Sequence, residues 1–114
     1  MSWIIDRFNA PGFRRSNPNC IAVRDALFHL IEFKGQAYQG GHSHEEANVL
    51  MDIGGQAAYA VWFNTELMSY PDSAYRRVIG HEGFHAAYFD GDHEKGNRAG
   101  RYCFGHSSDD PWAS

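Results

Sequence analysis

Apolar positions along the chain cluster into short stretches divided by Gly, Pro and polar runs. Residues 1–19 hold Pro11, Gly12, Pro18 and three Asn, and read as an irregular arm anchored by Trp3 and Phe8. From 20 to 33, Ile21, Leu27, Phe28 and Ile31 mark one apolar side, which predicts a helix capped by Asn19 and ended by Gly35. His29 lies inside this apolar run and reads as a packed helix residue. Residues 36–45 are polar and Gly-rich, a loop or the start of a strand. Residues 47–53 and 56–63 predict two strands, with Gly54-Gly55 as the hairpin turn between them. Tyr, Val, Trp and Phe in the second favour strand over helix. A connection containing Pro71 leads to a helix from about Ser73 to Tyr88, with Asp72 as its N-cap and Asp90-Gly91-Asp92 at its end. Beyond it, Gly96, Gly100, Gly105 and Pro111 punctuate a tail in which 97–104 predict a short helix or strand.

These elements predict an α+β fold in a single domain. An N-terminal helix precedes a small, mostly antiparallel sheet, and a second long helix follows. The division is an arm at 1–19 and a folded domain at 20–114, with no repeat or linker.

Composition narrows the function classes. The chain has 114 residues, 43% of them hydrophobic, enough for one small core. A net charge of −4 with no basic run argues against nucleic acid as a partner. The pairs Arg14-Arg15 and Arg76-Arg77 read as solvated or paired surface residues. No stretch approaches the ~20 apolar residues of a membrane span, and the first residues lack the pattern of a signal peptide. The expectation is a cytoplasmic protein with Cys20 and Cys103 reduced, a disulfide between them arising only on export.

The chemistry concentrates at His81-Glu82-Gly83-Phe84-His85. His81 and His85 are four apart, so a helix puts both imidazoles on one face. Two neutral imidazoles so placed can grip a zinc ion, and Glu82 beside them is a candidate general base for a water the metal activates. His93, eight residues after His85 and past a Gly-containing turn, is the chosen third ligand; Asp90, Asp92 and His106 are its rivals. Asp90-Gly91-Asp92 also reads simply as a solvated turn.

The order of elements from Ala58 to His93 resembles the minimal zincin metallopeptidases, including SprT-like and related small HExxH families. The matching pieces are the strand Ala60–Asn64, the helix Ser73–His85 and a downstream His. The resemblance implies a zincin-like domain, a Zn2+ cofactor at His81, His85 and a third residue, Glu82 as catalytic base, and a protein or peptide substrate. It also implies that residues 60–64 edge the cleft and pair with an extended substrate. Gly91 stands where metzincins place their third His, and Gly83 stands where a bulkier residue is common. The family's oxyanion-stabilising group has candidates in Tyr88, Tyr102, Arg98, Arg101 and His106, each of which also reads as a packing or surface residue.

The competing reading is a non-catalytic zinc-binding interaction module on the same scaffold. There the Gly-rich segment Gly96–Gly105 closes the open coordination position and a partner protein is the target. A fainter pattern, His42-Ser43-His44 with Asp52 and upstream Glu32, resembles the metal site of JAMM-type isopeptidases. Its spacing to the acid is too short, and a solvated loop is the preferred reading.

Overall fold

The structure, a computed structural model, describes residues 2–33, 37–40, 46–51 and 58–113. Four α-helices, α1 (Ser2–Asn9), α2 (Pro18–Phe28), α3 (Asp72–Tyr88) and α4 (His93–Cys103), accompany strands β1 (Ala37–Gly40), β2 (Ala47–Met51) and β3 (Ala58–Asn64). The small α+β domain is the expected class. The strand order is β1-β3-β2, with β2 antiparallel and β1 parallel to β3. Two features depart from the expected sheet: one of its two pairings is parallel, and residues 60–64 lie in its central strand instead of at an edge. The Gly54-Gly55 turn lies outside the described residues.

The N-terminal segment is not an irregular arm. Residues 2–9 form α1, and Ile4, Phe8 and Phe13 are buried in the main core. Phe8 meets Phe13, Phe28 and Phe104 at ring separations of 5.0–5.4 Å, so an aromatic cluster fastens both termini to one centre.

α2 starts earlier than expected. Asn17, not Asn19, is its cap: the Asn17 carboxamide oxygen accepts from the backbone N–H groups of Asn19 and Cys20, and Pro18 takes the first helical position, where no N–H is needed. After Phe28 the chain widens into a π-helical turn over His29–Phe33. The wider turn changes the phase of the helix face: Leu30 is buried and His29 is exposed, contrary to the packed role expected of it. α3 has no side-chain cap, because Pro71 precedes it and Asp72 instead pairs with Arg76 at 2.6 Å and Arg7 at 3.3 Å. It ends at Phe89, whose φ of 53° closes the last turn in the left-handed conformation.

α4 begins at His93, capped by the Asp92 carboxylate, and lies along α3. The two helices touch through glycine: a Cβ on Gly80 would stand 2.6 Å from the Gly100 Cα, and one on Gly100 would strike the Arg77 carbonyl oxygen. On the other side of α3, Gly83 lies against Val23 of α2, where a Cβ would come within 2.6 Å of the Val23 side chain. This close crossing explains a glycine where a larger residue was expected. Cys20 and Cys103 are joined in a buried disulfide that ties α2 to α4, so the expectation of reduced thiols does not hold. Among the described residues, no helix is long and apolar enough to cross a membrane.

Candidate metal centre

α3 and α4 together assemble three histidines. His81 and His85 project from successive turns of α3, and His93 reaches them from the first residue of α4. Their nearest ring nitrogens all lie within 4.8 Å of one another. His81 Nε2 is 2.8 Å from His85 Nε2 and 3.2 Å from His93 Nδ1. Nitrogens around a tetrahedral zinc stand about 3.3 Å apart, given bonds of about 2.0–2.1 Å. The two pairs built on His81 are already near that spacing, and the exposed His93 has room to adjust.

The protonation of the rings follows from their other contacts. Arg77 Nη1 donates to Asn97 Oδ1 at 2.6 Å. Guanidinium has no acceptor, so the amide presents its oxygen there. The same oxygen stands 2.8 Å from His81 Nδ1, which must therefore carry the hydrogen and donate. His85 Nδ1 faces the backbone carbonyl of Asp90 at 2.5 Å and must donate too. Both neutral rings then turn bare Nε2 lone pairs toward each other across 2.8 Å. A proton on His93 Nδ1 relieves one of them, not both. Adding a proton to His81 is opposed: burial, chiefly, pulls its pKa from 6.5 down to about 4, against the raising effect of its bond to Asn97. Burial lowers His85 as well. Neutral imidazoles with convergent lone pairs and outer hydrogen bonds that fix ring and tautomer are what a metal ion requires. The donor set fits the group.

Glu82 is 5% exposed and lines the cleft at this cluster, with Oε2 3.7 Å from His81 Nε2. The cleft, about 510 Å³, runs between β2 and the two helices and includes Glu46, Asn48, Arg77 and Asn97. Arg77 also pairs with Glu46 at 3.4 Å. A second hollow of about 300 Å³ shares His85, His93 and Asn48 with the cleft and adds Val49 and Phe89, which is 52% exposed.

Of the expected residues, the fold brings together His81, Glu82, His85 and His93. Asp90 serves through its carbonyl, while its carboxylate accepts from the Asp92 N–H. The Asp92 carboxylate caps α4. Neither acid nor the exposed His106 belongs to the cluster. The five oxyanion candidates do not line the cleft. Tyr88 donates to Asn19, Tyr102 lies beneath the Arg14 guanidinium, Arg98 pairs with Asp109, and Arg101 and His106 are exposed. His42, His44 and Asp52 lie outside the described residues. Arg77 and Asn97 were missed, yet the signal existed: Arg77 is four residues before His81 and Asn97 four after His93, each on the same helical face as that histidine.

Compared with family models, curated proteins and solved structures, the chain matches none.

With no metal bound, the buried His81 ring titrates with the fold. His81 has a lower pKa folded than the ordinary 6.5, so the unfolded chain takes up the proton first as pH falls. Its contribution to stability is therefore complete above about pH 6.5 and drains away as pH falls toward 4. Urea unfolding of chelator-treated protein should give a midpoint that falls across this window, and His81→Gln should flatten the part of the fall due to this ring.

Proposed function

We propose that the chain is a zinc-dependent metallopeptidase in which His81, His85 and His93 hold the ion and Glu82 is the general base. The observation that carries this reading is the pair of bare Nε2 atoms 2.8 Å apart beside a buried glutamate in an open cleft. Zinc at such a site polarises a carbonyl and acidifies a water molecule.

The chain's own groups do the rest. Asn97 and the Asp90 carbonyl hold the His81 and His85 rings with their Nδ1 hydrogens turned away. Arg77 holds Asn97 in turn and keeps its oxygen toward His81. The Glu82 carboxylate takes a proton from the attacking water and hands it to the leaving nitrogen. Because β3 is central, residues 60–64 are not the substrate edge. β2 is the outer strand on the cleft side, through Ala47 and Asn48, and is where an extended segment would pair. The Phe89 and Val49 hollow beside the ligands suits an apolar side chain of that segment.

Hydrolysis of unfolded protein substrates by zinc-loaded wild type and Glu82→Gln tests the reading. Glu82→Gln should keep its zinc and its fold while the rate falls by about 10²–10⁴-fold. Zinc-loaded wild type without any hydrolysis, indistinguishable from Glu82→Gln, would leave the non-catalytic zinc module as the better description.

A further inference from the structure

We propose that the Cys20–Cys103 disulfide and the histidine cluster are two ends of one latch on α4, so that breaking the disulfide weakens metal binding and metal binding shields the disulfide. The inference rests on the reading that the three histidines hold a metal.

The argument starts from the composition of α4. Its buried residues are Gly96, Ala99, Gly100 and Cys103. Glycine permits close approach to α3 but brings no apolar side chain to the contact, and Ala99 brings one methyl group. Beyond its close backbone contact with α3, the helix is therefore anchored at its ends. At the first residue stands His93, in the cluster. At the last stands Cys103, bonded to Cys20 of α2, with Phe104 seated in the aromatic core just beyond. Between the ends, Asn97 hydrogen-bonds His81, and Gly96 lies so close to that ring that a Cβ would stand 3.0 Å from Nδ1. α3 is flanked by α2 at Gly83 and by α4 at Gly80, and the disulfide joins the two flanking helices. Any displacement of α4 thus moves a ligand, the group that orients a second ligand, and the disulfide together.

Both sulfurs are fully buried, so a reductant reaches them only when this layer opens. A phosphine reductant gives two electrons to the S–S bond; water supplies the oxygen that ends on phosphorus and the two protons that end on the thiols. A metal holding His93 opposes that opening. Linkage makes the effect reciprocal. The site is then tightest in an oxidising environment, and a chain kept reduced carries a weakened one. A disulfide of this kind is uncommon in a reducing cytoplasm, which sets it against the cytoplasmic location expected from the sequence.

The test has two arms. In the first, the oxidised wild type is treated with a phosphine reductant, with and without saturating zinc, and its thiols are counted by alkylation and mass spectrometry. Zinc should slow reduction by about ten-fold or more, and should give no such protection to His93→Ala. In the second, zinc affinity is measured by chelator competition on Cys20→Ser/Cys103→Ser and on Leu30→Ala, a buried core change on neither helix of the site. The double variant should bind about ten-fold more weakly than wild type, and Leu30→Ala should bind as wild type does. Equal reduction rates in protein shown to hold zinc overturn the latch. So does an affinity lost equally in Leu30→Ala, because general destabilisation then explains it. Should the double variant fail to fold, the first arm decides. A wild type that takes up no zinc overturns the metal reading itself, an outcome distinct from a metal site without linkage.

Discussion

His85→Ala should abolish stoichiometric metal binding at the proposed site and, with it, the proposed hydrolysis. Purified wild type should carry near one zinc per chain by elemental analysis, without added metal or a histidine tag. The variant loses one of the three ring nitrogens, the one 2.8 Å from His81 Nε2, and leaves His81 Nε2 with only His93 Nδ1, 3.2 Å away. Changes to groups outside the coordination shell already cost about 10–100-fold in affinity, so loss of a ligand should cost on the order of 10³-fold or more. The substitution also frees the Asp90 carbonyl that His85 Nδ1 held, loosening the turn that delivers His93. The fold itself should persist, because His85 is only partly buried and the main core lies elsewhere. Far-UV circular dichroism near that of the chelator-treated wild type would show this. Metal retained at one per chain in His85→Ala would remove the basis of the proposed site.

Gly100→Ala should produce the largest loss of stability among single methyl additions at the described glycines. The added carbon would strike the Arg77 carbonyl oxygen and stand 3.0 Å from the Arg77 Cα, all backbone atoms inside α3. Backbone in mid-helix cannot swing aside like the end of a side chain, so α4 must move off α3. Overpacking of this kind costs about 3 kcal/mol, a fall in Tm on the order of 10 °C for a domain of this size. The movement also separates Asn97 from Arg77 and His81, so zinc affinity should fall with stability. Gly91→Ala is the matched control: nothing lies within 4 Å of its added carbon, and its melting temperature should stay near that of wild type. A Gly100→Ala melting curve that overlays this control would show that α3 and α4 do not need their close contact.

The parts of the fold with strong local signals were legible in the chain. The four-residue spacing of His81 and His85 and the apolar pattern around them placed the two α3 histidines on one helical face. β3 stood out by its run of Tyr, Val, Trp and Phe, and β2 as the short apolar run before the Gly54-Gly55 turn signal. α1 was hidden because Pro11, Gly12 and Pro18, which follow it, colour the whole segment as loop, although Ile4 and Phe8 are one helical turn apart and both buried. α4 was nearly invisible for the opposite reason. Hydrophobic periodicity cannot reveal a helix whose buried face is Gly96, Ala99, Gly100 and Cys103, since its packing relies on the absence of side chains.

By itself, then, the sequence determined what is local: that His81 and His85 share a helical face with Glu82 beside them, and that the fold is a small α+β domain. Only the tertiary structure decided what is non-local. It chose His93 over Asp90, Asp92 and His106 because α4 turns back along α3 through glycine contacts and spends the two carboxylates on a turn and a cap. It set β3 in the centre of the sheet, a matter of pairing order that strand propensity does not encode. It joined Cys20 to Cys103 across 83 residues, and it aimed Arg77 through Asn97 at His81. Each depends on distances between elements, and those are set by how the helices and strands pack, not by the pattern within any one of them.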